Sequence, residues 1–118
     1  MRDAIYTMTP CDVLKRARRF TIGPVGFAAM RSKEETAFRS ILTGSTPSDE
    51  FKSLLSGATL SGRLYALLGL KLLNDPSFEG ECLRLAGTGE SVDTMEGCIM
   101  RPRSAGSIAR EIRDGKIE

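Results

Sequence analysis

Histidine and tryptophan are both absent from the 118 residues of this chain. Without an imidazole, the chain has no serine–histidine or cysteine–histidine nucleophile pair, no histidine acid–base catalysis and few ways to bind zinc. Enzymatic chemistry would have to rest on carboxylates, lysine or tyrosine, and the positions of the carboxylates single out no catalytic pair. We therefore expect a protein that is not an enzyme and that needs no metal or other cofactor.

Aromatic residues are scarce, since the chain has only two tyrosines and five phenylalanines. Its core must then rest on leucine, alanine, isoleucine and methionine, a composition that favours helices. With 118 residues and a hydrophobic fraction of 41%, the chain can build one modest core, so we predict a single helical domain over 1–118. The formal net charge of +2 provides no strong attraction to nucleic acid or to an anionic membrane.

No stretch of the sequence predicts a signal peptide or a membrane span. The first ten residues lack the apolar core of a signal peptide. The most apolar stretch, Ala58–Leu73, is too short to cross a bilayer as a helix, and it carries Arg63 and Lys71. Two locations remain open: the protein is cytoplasmic, or a leader has been removed and it is periplasmic or otherwise exported.

The stretch Ala58–Leu73 instead predicts a central helix that other elements cover on nearly every side. Small residues recur along one side of it, where Gly62, Ala66 and Gly69 fall within about 60° of one another. Each glycine costs roughly 1 kcal/mol relative to alanine in a helix interior. Close approach of a neighbouring helix offsets such a cost, so we expect a helix-packing strip here, with a ligand or partner groove as the alternative.

Start and stop signals predict further helices on both sides of the central one. A polar cap or a proline begins each of them, and a glycine ends most of them. The predicted helices run from Thr9-Pro10 to about Phe20, from the Ser32–Glu35 capping box to Gly44, from Thr46-Pro47 to Gly57, from Asp75-Pro76 to Gly87, and from Ser104 to Gly115. Leu83 is expected to face the core, and 21–27 is expected to form a partly buried loop.

The pattern changes after Gly89. Val92–Met95 and Cys98–Arg101 flank Glu96-Gly97, which predicts a β-hairpin near 92–101 that ends at Pro102. Taken together, these signals predict a mostly α-helical fold. We expect a small orthogonal or HEAT-like bundle of about five to six helices around the central helix, with one short hairpin.

The three cysteines, Cys11, Cys82 and Cys98, do not match the spacing of a metal site. Cys82 falls on a predicted helix and Cys98 in the hairpin that follows it. In an exported protein we expect Cys82 and Cys98 to form a disulfide, which would contribute on the order of 3 kcal/mol by restricting the unfolded chain. In the cytoplasm both would be ordinary buried thiols.

Basic residues are concentrated in the first and last predicted helices. The candidate partner patch comprises Lys15, Arg16, Arg18 and Arg19. The second group comprises Arg101, Arg103, Arg110 and Arg113. A solvated helix face, a patch for an acidic protein partner and a phosphate-binding surface all remain open. Acidic residues among these arginines and the lack of stacking aromatics count against nucleic acid.

Residues 58–70 read A-T-L-S-G-R-L-Y-A-L-L-G-L, and Gly97-Cys98-Ile99 follows downstream. This pattern resembles a poorly characterised family of small bacterial helical proteins, which carry an A-T-x-[AS]-G-x-L-Y-A-L-x-G-L helix and a later G-C-[IL] motif. Gly23-Pro24-Val25-Gly26 also resembles an upstream segment of those chains. Many proteins of that family look exported, so the resemblance adds to the case for a disulfide. Those proteins often have cysteine at the position of Leu68, so the resemblance also implies that the partner of Cys98 differs in this chain. The resemblance brings no catalytic motif.

The sequence therefore predicts a non-catalytic protein-binding module. An immunity or inhibitor protein of a bacterial toxin is a concrete form that fits the small size, the absence of histidine and a disulfide-bonded, exported fold. The alternative is a nucleic-acid-associated or regulatory helical protein that uses the arginine-rich first and last helices.

Overall fold

The computed structural model describes residues 9–20, 33–96 and 99–115. The helices in these ranges are α1 (Pro10–Lys15), α2 (Lys33–Leu42), α3 (Pro47–Gly57), α4 (Leu60–Leu72), α5 (Phe78–Ala86) and α6 (Ala105–Arg113). The strands are β1 (Arg19–Phe20), β2 (Ser91–Glu96) and β3 (Ile99–Ser104), which form one sheet in the order β1-β2-β3. The prediction of a mostly α-helical bundle with a hairpin is confirmed, and the hairpin belongs to a larger sheet than predicted.

Helix α4 lies at the centre of the fold and contacts each of the other five helices as well as β1 and β2. Thr59 caps its start, because the Thr59 hydroxyl accepts a hydrogen bond from the Gly62 N–H at 3.1 Å. The leucines and the tyrosine of its central turns are fully buried, as expected for a helix surrounded by others. The helix ends just before Asn74, whose φ of 56° is the left-handed conformation that commonly follows a helix.

Neighbouring elements come very close to α4 at its two glycines. A Cβ atom on Gly62 would lie 2.1 Å from the carbonyl oxygen of Leu14 in α1. A Cβ atom on Gly69 would lie 2.3 Å from Cε2 of Phe51 in α3. Ala66 lies between the glycines and is fully buried. The strip of small residues is therefore occupied by α1 and by the Phe51 ring, which leave no room there for a ligand.

Helix α1 begins where predicted but ends earlier. Thr9 and Asp12 form a reciprocal capping box, in which each side chain accepts a hydrogen bond from the other residue's backbone N–H. The helix stops at Lys15 instead of continuing to Phe20, because the carbonyls of Lys15 and Ala17 accept hydrogen bonds from Thr59. The chain then becomes extended and forms β1.

Strand β1 is absent from the sequence prediction. It pairs in parallel with β2, with Arg19 opposite Asp93 and Phe20 opposite Thr94. Phe20 is buried, and its ring centroid lies 4.7 Å from that of Tyr65 in α4. The packing of Phe20 on the central helix therefore helps to hold this segment as a strand, although the sequence pattern assigns it to a helix.

The hairpin formed by β2 and β3 is longer than predicted. Strand β2 continues to Glu96, and β3 continues through Pro102 to Ser104, although Pro102 was expected to end it. Pro102 lies opposite Asp93 on an edge strand, where a missing backbone N–H is tolerated. The turn residues 97–98, which include Cys98, lie outside the described residues.

Helix α5 differs from the prediction at one position. Helix α5 begins at Phe78, after a turn, and buries Phe78, Cys82 and Leu85. The expectation that Leu83 faces the core is wrong, since this side chain is 72% exposed. It directly follows Cys82, and a step of about 100° takes it off the buried face. The predicted loop at 21–27 and Ser32 of the capping box lie outside the described residues.

Asp75 joins the loop after α4 to the start of α3. Its carboxylate accepts hydrogen bonds from the Ser48 hydroxyl of α3 and from the Ser77 hydroxyl and backbone N–H. Lys52 lies 3.5 Å from the same carboxylate. The hydrogen bond from Ser48 is the main reason that the pKa of Asp75 lies well below its usual value, and the bonds from Ser77 add to it.

Replacing either glycine of α4 by alanine should destabilise the fold. We expect Gly62→Ala to lower the free energy of unfolding by about 1–3 kcal/mol, because the Leu14 carbonyl must move away from the new methyl group. The control is Gly80→Ala. Gly80 is the third residue of α5, just as Gly62 is the third residue of α4, but a Cβ atom on Gly80 would meet no other atom within 4 Å. This control should raise the free energy by about 0.5–1 kcal/mol. Urea unfolding followed by circular dichroism measures both, and equal stability of Gly62→Ala and the wild type would contradict the packing.

The contribution of Asp75 should depend on pH. The pKa of the Asp75 carboxyl is lower in the folded protein than in the unfolded chain, where it is about 4. Its stabilising effect is therefore complete above that unfolded-chain value and decreases as the pH falls below it. We expect Asp75→Asn to lower the melting temperature at neutral pH and to differ progressively less from the wild type below about pH 4. Asp49→Asn, which removes an exposed carboxylate from the same end of α3, controls for the loss of one charge. A melting-temperature difference for Asp75→Asn that stays constant across this range would refute the assignment.

Candidate functional site

The candidate site is a cleft of about 490 Å³ beside α1. Its described lining consists of Val13, Arg16, Arg18, Arg19, Lys33 and Glu34. Three of the four residues of the predicted partner patch therefore come together. Lys15, the fourth, is exposed but does not line the cleft, and its Cε approaches Gly57 at the end of α3. A volume of this size is within the usual range for binding sites of small ligands and short segments.

The local structure explains how the cleft cations are positioned. Arg16 caps the end of α1, and its backbone N–H donates to the carbonyls of Asp12 and Leu14. Arg19 is fixed by the pairing of β1 with β2. Lys33 comes from the other wall, because it is the first residue of α2, which packs against α1.

The cleft cations are not neutralised within the described part of the chain. Arg16, Arg18, Arg19 and Lys33 form no ion pair with any described residue. Other arginines are paired: Arg39 with Glu35, Arg84 with Glu81 and Arg103 with Glu111. Four cations without an ion pair to a described residue outnumber the one carboxylate in the described lining, which makes this part of the cleft positive in a way that a net charge of +2 does not reveal.

One carboxylate, Glu34, also lines this cleft. The residue is only 5% exposed, and it forms no hydrogen bond or ion pair with a described residue. Its neighbour Glu35 is 1% exposed but has the Arg39 guanidinium at 3.2 Å. The sequence assigns both glutamates to the first turn of a helix, where negative charge is favourable, and it does not distinguish them. The burial of Glu34 depends on tertiary packing, which the sequence pattern does not contain.

The second group of basic residues lies elsewhere and is engaged in contacts within the fold. Arg110 donates to the Ala86 carbonyl at 3.0 Å, Arg113 contacts Asp114, and Arg103 binds both Ser107 and Glu111. Helix α6 packs on α4 and α5, whereas α1 packs on α2, α3 and α4. The structure therefore does not merge the two arginine groups into one surface.

The predicted disulfide is not formed in this structure. Cys82 is a free thiol that is 3% exposed, and its Sγ lies 3.6 Å from the Ala109 carbonyl oxygen of α6. Its side chain faces the core, because Cys82 lies on the buried face of α5 with Phe78 and Leu85. Cys98 lies outside the described residues, and Cys11 is a half-buried free thiol. Burial raises the pKa of the Cys82 thiol, which lowers its reactivity.

Other kinds of site are not found in the described ranges. No helix in these ranges has both the length and the apolar character needed to cross a membrane. No group of three or more metal-binding side chains comes together within 9–20, 33–96 and 99–115. No protein-family model matches the sequence, and no curated protein or solved structure is detectably similar to it. The resemblance to small bacterial helical proteins thus stays a prediction.

The two described thiols should differ in accessibility. We expect Cys82 to react with N-ethylmaleimide much more slowly than Cys11 in the native protein, because Cys82 is buried and its pKa is raised. In denaturant the two should react at similar rates. Mass spectrometry of proteolytic fragments after timed labelling gives the rate at each position. Equal native rates would show that Cys82 is not buried against α6.

Proposed function

We propose that the protein is a non-catalytic binding module that holds an acidic segment of a partner protein in the basic cleft. The observation that carries this proposal is the meeting of Arg16, Arg18, Arg19 and Lys33 in one cleft without an ion pair to a described residue. A guanidinium can bind a carboxylate through two parallel hydrogen bonds, so three arginines suit a run of aspartate and glutamate side chains.

The backbone around the cleft supports binding because it is ordered by the fold itself. The end of α1 is held by Thr59, whose N–H donates to the Lys15 carbonyl at 3.0 Å and whose hydroxyl donates to the Ala17 carbonyl at 2.6 Å. Arg19 is held by the pairing of β1 with β2. A partner would therefore have to order the arginine side chains but not the chain that carries them, which lowers the entropic cost of association.

An immunity or inhibitor protein of a bacterial toxin is the concrete form of this module. The proposal rests on the small size of the chain, on its lack of histidine and on a cleft that suits an acidic protein surface. Charge complementarity across an interface speeds association and rejects wrong partners, which an inhibitor of a toxin requires.

A nucleic-acid partner fits the cleft less well. Glu34 places a carboxylate in the cleft, where it would repel the uniformly charged backbone of a nucleic acid, whereas a protein segment can place a neutral or cationic side chain opposite it. The described lining contains no aromatic side chain on which a base could stack. The arginines of α6, which this alternative also requires, contact other parts of the fold.

Charge removal in the cleft tests the proposal. The variant Arg16→Gln/Arg18→Gln/Arg19→Gln should lose at least roughly tenfold in affinity for the partner, because three charge-assisted contacts are removed. The matched control is Lys15→Gln/Arg84→Gln/Arg113→Gln, which removes the same charge from exposed positions outside the cleft. The partner would first be captured from the native organism with the wild-type chain, identified, purified and then titrated against all three proteins.

The outcomes of this titration are distinct. Loss of binding in the cleft variant but not in the control supports the proposal, and equal binding by the two variants would rule out the cleft as the binding site. Binding of a labelled DNA or RNA oligonucleotide, measured in parallel at low ionic strength, tests the alternative nucleic-acid function. Tight oligonucleotide binding that the cleft variant abolishes would favour a nucleic-acid function over the proposed one.

A further inference from the structure

We infer that the cleft selects an acidic segment that also carries one cationic side chain, which is bound by Glu34. This inference rests on the proposed function and specifies the chemistry of the partner. The described lining of the cleft then holds two kinds of recognition element: cations from the α1–β1 segment and the start of α2, and one carboxylate among them.

The first argument comes from the burial of Glu34. The residue as a whole is only 5% exposed, but its carboxylate oxygens are not among the described buried atoms that lack a hydrogen-bond partner, so they still reach the solvent of the cleft. A carboxylate in that position is normally compensated by an ion pair or by hydrogen bonds, as Glu35 is by Arg39 at 3.2 Å. Glu34 has no such compensation from a described residue. Its hydrogen-bonding capacity is therefore available to a group that enters the cleft.

The second argument comes from the cations that share the cleft. Arg16, Arg18, Arg19 and Lys33 could in principle neutralise Glu34, but none of them lies within 4.0 Å of its carboxylate. The positive and negative groups of the cleft are thus held apart. An occupant with separated charges of opposite sign matches this arrangement, whereas a uniform polyanion would bring one of its charges close to Glu34.

The third argument concerns specificity. A cleft with cations alone would bind any acidic protein or nucleic acid, because such attraction carries little sequence information. An occupant that covers the Glu34 carboxylate without pairing it removes this charge from water at a cost, and such a penalty is the repulsive element that discriminating sites require. A lysine within an acidic run would satisfy Glu34 and remove that penalty.

The test uses defined peptides on the full chain. The first is a fluorescently labelled heptapeptide of alternating glutamate and aspartate with lysine at its centre, and the second has norleucine in place of the lysine. Electrostatic attraction to the cleft cations alone would favour the norleucine peptide, because this peptide carries the more negative charge. We expect the wild type to bind the lysine peptide more tightly, by roughly tenfold, since a charge-assisted hydrogen bond is gained.

Two variants connect this preference to one side chain. Glu34→Gln should abolish the preference for lysine and strengthen binding of the norleucine peptide. The matched control is Glu79→Gln, because Glu79 is the second residue of α5 as Glu34 is of α2, and it is exposed. The control removes the same charge from the first turn of a helix and should leave the preference unchanged.

The results separate this inference from the function on which it rests. Equal binding of the two peptides by the wild type, or a lysine preference that survives Glu34→Gln, would overturn the inference alone. Failure of both peptides to bind at low ionic strength would overturn the acidic-segment function together with it. Tight binding of a single-stranded oligonucleotide that Glu34→Gln strengthens further would assign the cleft to nucleic acid and overturn both.

Discussion

The fold depends on one place where two backbones meet without a side chain between them. The Leu14 carbonyl of α1 lies so close to Gly62 of α4 that only glycine fits. Helix α1 has six residues, too few to be stable by itself, so its position is set by this contact and by the two hydrogen bonds from Thr59. Arg16, Arg18 and Arg19 follow directly from it. The central helix thus positions the cleft without contributing a side chain to its described lining.

The distribution of charge gives the two ends of the described chain different roles. Around α6, arginines bind carbonyls and carboxylates of the same chain, and these contacts join α6 to α5 and to β3. Around α1, arginines have no carboxylate partner among the described residues. On the proposed function, these arginines are the groups that an acidic partner binds. The net charge of +2 does not reveal this difference, because it counts the charged residues and does not show which of them are paired.

The predictable features were those set by neighbours along the chain. The capping box of Thr9 and Asp12 and the unbroken apolar run of α4 are local signals, and the corresponding elements begin where the sequence indicates. Strand β1 has two residues and exists only through its pairing with β2, so no local signal for it is present. The arginines of the cleft are visible as a cluster in sequence. Lys33 and Glu34 are not, because their place beside α1 is set by helix packing.

The parallel pairing of β1 with β2 also bears on how the protein folds. Arg19 pairs with Asp93, so this contact closes a loop that contains most of the chain, whereas the antiparallel hairpin of β2 and β3 closes a short one. Contacts so distant in sequence cost more chain entropy to close, and a topology that contains them folds more slowly. During synthesis, β1 has no strand to pair with until β2 has emerged from the ribosome. Arg19 is therefore translated before the strand that positions it, and on the proposed function the cleft is complete only once β2 has paired with β1.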